Sequence, residues 1–93
     1  MRKHIVITGR VQGVGFRYWL YKTAVRNNIN GWVKNKISGE VEALLIGNAV
    51  KIDNLIKLCE KSPPPSSKVT KVEVQNYKKE YLKKSFEIIN SAS

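Results

Sequence analysis

The sequence predicts an α+β fold, and three observations support this prediction. Segments of β-branched residues alternate with two segments in which apolar residues recur at helical spacing. Stretches that contain glycine or proline separate these segments at short intervals. At 93 residues the chain is long enough for one hydrophobic core, so residues 1 to 93 are expected to form a single domain.

The first predicted strand and the first predicted helix flank a glycine-rich loop. Residues 4 to 8 form a short segment rich in β-branched residues, which predicts a strand, and Gly9 to Gly15 follow as a tight loop. The apolar residues after the loop recur at helical spacing, at Phe16, Leu20 and Ala24, with Tyr21 and Val25 broadening the stripe. Asn30-Gly31 is a stop signal, so this helix is predicted over roughly residues 16 to 28.

The next segment is typical of a β-hairpin. Trp32 to Asn35 and Glu40 to Ile46 have strand composition, and the short segment Lys36 to Gly39 between them contains a glycine. A second helix follows, with Asn48 as its N-terminal cap. Its apolar face is predicted from the spacing of Ile52, Leu55, Ile56 and Cys59.

The last part of the chain predicts two further strands. Pro63 to Pro65 end the second helix, Val72 and Val74 then alternate with polar residues, and a final short strand contains Phe86 and Ile88. The order through the fourth strand is the ferredoxin-like βαββαβ arrangement, an antiparallel sheet with both helices on one face. The extra terminal strand is expected at an edge of that sheet.

Composition narrows the possible partners. The 17 Lys and Arg residues against 7 Asp and Glu give a formal net charge of +10, a positive field that attracts phosphate-bearing molecules. Cys59 is the only cysteine, so neither an intrachain disulfide nor a cysteine-based zinc site is expected. The apolar stretch Ile5 to Ile7 is too short for a signal peptide, and no segment approaches membrane-spanning length. A cytoplasmic protein without membrane contact is expected.

The glycine-rich loop has the composition of an anion site. Glycines at positions 9, 13 and 15 let the backbone turn inward where side chains would clash, so several amide N–H groups can point at one spot. The following helix adds its first N–H groups and the positive end of its dipole. No Lys-Ser/Thr pair follows, and Tyr18 stands where a dinucleotide motif has glycine, so ATP and NAD are not expected. A purely structural turn explains the loop equally well at this point.

Arg17 strengthens the phosphate interpretation. A cation in the first turn of a helix opposes the helix dipole, at a cost of roughly 0.3 to 1 kcal/mol. A bound dianion reverses that cost, and a guanidinium donates two parallel hydrogen bonds to phosphate oxygens. An ordinary exposed arginine is the alternative.

Two segments resemble the signatures of the acylphosphatase family. Gly9 to Arg17 (GRVQGVGFR) is similar to the first signature, and Gly31 to Gly47 (GWVKNKISGEVEALLIG) is similar to the second. Together with the order of strands and helices, the resemblance covers nearly the whole chain. Ser62, where many members have glycine, and a Lys-rich stretch after residue 75 depart from the family pattern.

The resemblance implies a hydrolase that cleaves the carboxyl–phosphate bond of acyl phosphates without a metal or another cofactor. The family's phosphate loop corresponds to Gln12, Gly13, Val14, Gly15, Phe16 and Arg17. Arg17 is then the side-chain phosphate ligand, and Asn35 orients the attacking water. Without the resemblance, Asn35 is better explained as a turn residue before the hairpin. Inorganic phosphate is then the product, and it is expected to inhibit competitively because it fills the proposed anion site. We expect a monomer.

The side chains that could serve as nucleophiles have simpler explanations. His4 is expected to be a surface or partly buried strand residue, Cys59 belongs to the second helix's core face, and Asp53 is isolated near that helix's start. A phosphoenzyme is therefore not expected. These residues also form no metal-ligand pattern.

Two alternative functions remain open at this point. A basic ferredoxin-like domain can bind RNA by stacking bases on sheet aromatics, and Trp32 is the candidate residue. The nearest match to an RNA-recognition motif, Gly15 to Tyr18, falls at a loop-to-helix junction, so no specific nucleic-acid partner is expected. The second alternative is a non-catalytic interaction domain, against which the presence of Arg17 and Asn35 argues.

Overall fold

Five strands and two helices follow one another in the predicted order. The computed structural model describes residues 1–90. The elements are β1 (Arg2–Arg10), α1 (Phe16–Arg26), β2 (Asn30–Asn35), β3 (Val41–Ile46), α2 (Ala49–Lys61), β4 (Lys68–Asn76) and β5 (Phe86–Ile89). The predicted ferredoxin-like α+β fold is confirmed. Neither helix within residues 1–90 has the length and apolar character needed to cross a membrane.

The five strands form one mixed sheet in the order β4-β1-β3-β2-β5. The pairs β1–β3, β1–β4 and β2–β3 are antiparallel, as predicted, whereas β2 and β5 are parallel. The extra strand β5 lies at an edge, again as predicted. Its parallel pairing follows from the connection after β4, which leads from one edge of the sheet to the other. Tyr77 donates to Arg2 and Gly31 donates to Ser85 along this connection, through their backbone N–H groups.

The strand directions decide which loops meet. Strands β1, β2 and β5 run the same way, because β1 and β2 are both antiparallel to β3 and β5 is parallel to β2. Their C-terminal ends therefore lie at the same end of the sheet. The residues brought together there are Arg10 and the loop that follows it, Asn35, and Ile89.

The core lies between one face of the sheet and the two helices. The inward-facing strand side chains are fully buried, with Ile5 and Ile7 on β1 and Val33 on β2 as examples. The predicted helix stripes pack into the same cluster, at Phe16, Leu20 and Ala24 on α1 and at Ile52, Leu55, Ile56 and Cys59 on α2. Tyr21 packs against this cluster, but Val25 is 48% exposed. The predicted stripe was therefore one residue too wide, because Val25 is rotated about 100° beyond Ala24.

Helix α1 ends two residues before the predicted position. Asn28 has a φ of 56°, in the left-handed region that ends helices, and Asn27 donates through Nδ2 to the carbonyl of Thr23 at 2.8 Å. The stop signal at Asn30-Gly31 was thus placed too late. Asparagine tolerates the left-handed conformation better than other non-glycine residues, and this explains the earlier end.

The opposite face of the sheet carries a small ion-paired cluster. His4 Nε2 lies 2.5 Å from Glu42 Oε2, and Lys34 Nζ lies 3.6 Å from Glu42 Oε1. The ammonium of Lys34 also lies 5.4 Å from the centre of the Trp32 ring. His4 is thus the partly buried strand residue that the sequence predicted, and Leu44, its cross-strand neighbour, is fully buried on this face.

Candidate active site

The loop between β1 and α1 comprises residues 11–15. It is shorter than predicted, because Gly9 belongs to β1, at a register shift in its pairing with β4. A Cβ atom at Gly9 would lie 2.1 Å from the carbonyl oxygen of Lys68, so this glycine permits close strand pairing. The role of Gly9 is in the sheet and not in the loop.

Gly13 and Gly15 give the loop its shape. Their φ angles are 74° and 78°, in the left-handed region, yet a Cβ atom at either position would meet nothing within 4 Å. The prediction that side chains would clash here was wrong, because the conformation and not the available space favours glycine. The space in front of both residues is free to hold a ligand.

The N-terminus of α1 leaves its first amide groups available. Gly15 is the N-cap residue in a left-handed conformation, and no side chain within residues 1–90 accepts a capping hydrogen bond there. The first helical hydrogen bond is donated by Trp19 N–H to the carbonyl of Gly15, at 3.0 Å. The preceding N–H groups have no acceptor inside the helix, and the first turn contains no acidic residue. This arrangement favours an anion.

Arg17 is half-buried in the first turn of α1. Its Nη1 donates to the carbonyl oxygen of Ile89, the last residue of β5, at a long 3.4 Å. A guanidinium has five N–H donors in a planar arrangement, so one weak contact leaves most of them for a ligand. The end of β5 therefore orients Arg17 without saturating it.

Asn35 is the last residue of β2 and pairs with Val41 of β3. Its Oδ1 atom is buried, and no group in the described part of the chain donates to it. A buried carbonyl oxygen of this kind costs stability unless a donor such as water satisfies it. Among the described residues, Oδ1 of Asn35 is therefore an unused hydrogen-bond acceptor next to the end of β2.

The loop, the helix start and Asn35 border one pocket with a volume of about 180 Å³. The residues that line it are Val11, Gly13, Gly15, Phe16, Arg17, Tyr18 and Asn35. The structure thus brings Arg17 and Asn35 to one pocket, together with Gly13, Gly15 and Phe16 of the predicted loop. None of these lining residues, all within residues 1–90, is acidic, and none is a histidine or a cysteine.

Gln12 and Val14 do not line the pocket. The side-chain amide of Gln12 donates to the carbonyl of Lys36 at 2.7 Å and to that of Glu40 at 2.9 Å. It therefore connects the loop to the hairpin that carries Asn35. Val14 is partly buried and packs against the hydrophobic core. The side chains of these two predicted loop residues hold the loop in place, and only their backbone groups could face a phosphate.

Three lining or supporting groups were not predicted as site residues. Val11 is buried in the pocket floor, Tyr18 is 59% exposed, and the carbonyl of Ile89 contacts Arg17. The position of Tyr18 directly after Arg17 was a usable signal. The contact from Ile89 spans 72 residues and has no local signal in the sequence.

The possible nucleophiles lie away from the pocket. Cys59 is buried in α2, and burial raises the pKa of its thiol to about 12, with the charge of nearby Glu60 adding to the effect. Asp53 is exposed on α2, and His4 lies on the opposite face of the sheet. Residues 1–90 contain no group of three or more His, Cys, Asp or Glu side chains that could hold a metal ion.

Comparison with known proteins identifies the family to which the chain is similar. The sequence model of the acylphosphatase family matches residues 3–88. An acylphosphatase from Acidiphilium cryptum is 45% identical over 62 residues, which are 67% of this chain and 68% of that protein. An acylphosphatase from Syntrophobacter fumaroxidans is 40% identical over 89 residues, which are 94% of this chain and 89% of that protein.

The fold agrees with the sequence comparison. The crystal structure of acylphosphatase from Bacillus subtilis is similar with a TM-score of 0.87 at 35% identity, covering 95% of this chain and 97% of that chain. Of the residues that line the pocket, all except Tyr18 lie within the two segments that resemble the family signatures. The chain belongs to the acylphosphatase family.

Proposed function

We propose that this acylphosphatase cleaves the carboxyl–phosphate bond by direct attack of water on the phosphorus atom, with Asn35 holding the water. One observation carries the proposal: Asn35, whose buried Oδ1 has no donor within residues 1–90, lines the same pocket as the uncapped start of α1 and Arg17. Oδ1 of Asn35 lacks a hydrogen-bond donor in this range, whereas the start of α1 and Arg17 both favour an anion. Water and a phosphoryl group supply these partners together.

The phosphoryl group binds against the loop of residues 12–17. Backbone N–H groups of the loop and of the first turn of α1 donate to its oxygens, and the helix dipole favours its negative charge. Arg17 adds charge-assisted hydrogen bonds from its guanidinium. Because these donors are fixed before the substrate arrives, they also stabilise the charge that the phosphoryl oxygens carry in the transition state.

The attacking water donates one hydrogen bond to Oδ1 of Asn35. Its oxygen then forms a bond to phosphorus while the bond between phosphorus and the bridging oxygen breaks, and the carboxylate leaves with the electron pair. The proton of the water passes to a phosphoryl oxygen, so that carboxylate and inorganic phosphate are the products. A loose transition state needs little help from a base, and this suits a pocket whose lining residues include no carboxylate or imidazole.

The chemistry requires neither a phosphoenzyme nor a cofactor. The loop and Arg17 supply the positive potential that Mg²⁺ supplies in kinases. Inorganic phosphate, which has the same oxygens as the transferred group, inhibits by occupying the same donors. We propose that the enzyme acts as a cytoplasmic monomer and that residues 1 to 93 form one domain. The edge strand β4 exposes lysines such as Lys68 and Lys71, which disfavour pairing with another copy.

The open face of the sheet gives little support to RNA binding. Cross-strand pairing places Glu42, Glu73 and Glu87 on the same face as Trp32, with Glu87 directly opposite it, so this face is not predominantly basic despite the positive net charge. Trp32 is also in contact with the ring of His4 and the ammonium of Lys34. A base that stacked on this ring would have to displace these contacts.

Hydrolysis of benzoyl phosphate in ¹⁸O-labelled water, with excess chelator, tests the mechanism. We expect turnover at the same rate with and without chelator, and we expect the label in inorganic phosphate and not in benzoate. Label in benzoate would show attack at the carbonyl carbon. Loss of turnover only in the presence of chelator would contradict the metal-independent mechanism, and absence of turnover in both conditions would contradict the hydrolase activity itself.

A further inference from the structure

Tyr18 differs from the other side chains that line the pocket. Val11 and Phe16 are each 1% exposed and form the pocket floor, while Arg17 and Asn35 are half-buried. Tyr18 is 59% exposed, although it lies in the same first turn of α1. Because Tyr18 both lines the pocket and is this exposed, its side chain is in a position to meet the part of a ligand that extends from the pocket into solvent.

Two neighbours on α1 hold this exposed ring. The ring of Tyr21 is stacked with it, at 6.2 Å between centroids and 23° between planes. Lys22 places its ammonium 5.5 Å from the centre of the Tyr18 ring, a cation–π contact. Tyr21 is itself partly buried and contacts Phe86 of the core. The Tyr18 ring is thus an exposed aromatic surface that packs against its neighbours on α1.

The size of the pocket determines which part of the substrate reaches Tyr18. A cavity of about 150 Å³ holds one benzene molecule. The pocket of about 180 Å³ is therefore nearly filled by the acyl phosphate head, which has a similar number of non-hydrogen atoms. The remainder of the acyl group has to lie at the mouth. Among the side chains that line the pocket, Tyr18 is the exposed one.

We propose that Tyr18 is the contact surface for the acyl group and gives the enzyme a preference for aromatic over small aliphatic acyl phosphates. This inference rests on the proposed function, because it requires the phosphoryl group to occupy the loop of residues 12–17. An aromatic acyl group packs against the ring and gains both apolar burial and ring–ring contact. An acetyl group extends too little beyond the head to make this contact.

The test compares kcat/KM for benzoyl phosphate and acetyl phosphate in the wild type, Tyr18→Ala and Tyr18→Phe. One aromatic pair contributes enough to change the benzoyl-to-acetyl ratio by roughly threefold to tenfold, so Tyr18→Ala is expected to lower the ratio by that factor. Tyr18→Phe retains the ring and is expected to keep the wild-type ratio. The inhibition constant of inorganic phosphate, which has no acyl group, is measured in parallel to confirm that the loop is intact.

Ile37→Ala is the matched control. Ile37 is 79% exposed and lies two residues after Asn35, but it does not line the pocket. Its removal is expected to leave the ratio unchanged. The acyl-group assignment is wrong if Tyr18→Ala leaves the ratio unchanged, or if phosphate inhibition weakens in step with turnover. If the wild type hydrolyses neither compound, the proposed function fails. That result differs from one in which both compounds are hydrolysed but Tyr18→Ala does not change the benzoyl-to-acetyl ratio.

Discussion

The N-termini of the two helices satisfy their first amide groups in different ways. In α2 the side chain of Asn48 accepts a hydrogen bond from Lys51 N–H at 3.2 Å, which is an ordinary cap. In α1 the corresponding position is Gly15, which has no side chain, and the first residues of this helix line the pocket. The helix without a side-chain cap is the one at which we propose that the phosphoryl group binds.

A cation in the first turn does not by itself distinguish the two helices. Lys51 of α2 stands in such a position and is exposed, so water screens its interaction with the helix dipole. Arg17 of α1 is half-buried, contacts the carbonyl of Ile89 and borders the pocket with Asn35. Burial, orientation and a nearby unsatisfied polar group distinguish Arg17, the arginine that we propose binds the phosphoryl group.

The largest expected effect comes from Arg17→Gln. Because one preorganised donor in a transition-state site contributes about a hundredfold to a thousandfold in rate, we expect a loss of that size in kcat/KM for benzoyl phosphate. The fold is expected to be retained, which circular dichroism measures. Arg26→Gln, at the exposed C-terminal end of the same helix, is the control and is expected to retain full activity. Equal activity of the two variants would contradict the role of Arg17.

A substitution of Gly15 by alanine tests the uncapped turn itself. Gly15 has a φ of 78° and Gly39, in the β2–β3 turn, has a φ of 100°; neither has a neighbour that a Cβ atom would meet. Each alanine variant is expected to lose about 1 to 2 kcal/mol of unfolding free energy, because alanine disfavours the left-handed conformation. Only Gly15→Ala is expected to lose most of its kcat/KM. Urea unfolding and steady-state kinetics on both variants measure this difference. Equal losses of kcat/KM in the two variants would contradict a specific role of Gly15 in the site.

Removing the cap of α2 is expected to affect stability alone. Asn48→Ala deletes the acceptor for Lys51 N–H and is expected to lower the free energy of unfolding by about 0.5 to 2 kcal/mol. The pocket is bordered by other elements, so kcat/KM is expected to stay at the wild-type value. A reduced kcat/KM in a fully folded Asn48→Ala protein would show that the two helix starts are coupled.

The smallest effect is expected at Cys59 of α2. Burial raises the pKa of its thiol from 9.0 to about 12, so the folded protein holds the unreactive neutral form at neutral pH. Labelling by a thiol reagent is expected to be slow in buffer and fast in denaturing urea. The stabilisation from the neutral thiol is complete below pH 9.0 and is lost as the pH rises towards 12. Rapid labelling of the native protein would contradict the assignment of Cys59 to the core.

Local patterns in the sequence predicted most of the fold and part of the site. Helical spacing identified the buried faces of α1 and α2, and the glycines and Arg17 identified the loop. The resemblance to the family was needed for Asn35, because a polar residue before a hairpin has no functional signal of its own. Sequence patterns act over a few residues, and they therefore define elements better than the contacts between distant elements.

The features that the sequence did not predict depend on long-range pairing. The parallel alignment of β5 with β2, the register shift at Gly9 and the contact of Ile89 with Arg17 all join distant parts of the chain. The two hydrogen bonds from Gln12 to the hairpin are of the same kind. These contacts form only when distant segments come together in the sheet. The composition of a single segment therefore does not predict them.

The most direct test measures turnover and phosphate binding in the same variant, Asn35→Ala. If Asn35 positions water while the loop and Arg17 bind phosphate, kcat for benzoyl phosphate falls by about a hundredfold or more, and the inhibition constant of inorganic phosphate stays near that of the wild type. Full activity in the folded variant would contradict the role of Asn35 in holding water. Loss of phosphate inhibition together with activity would show that Asn35 supports the binding loop instead.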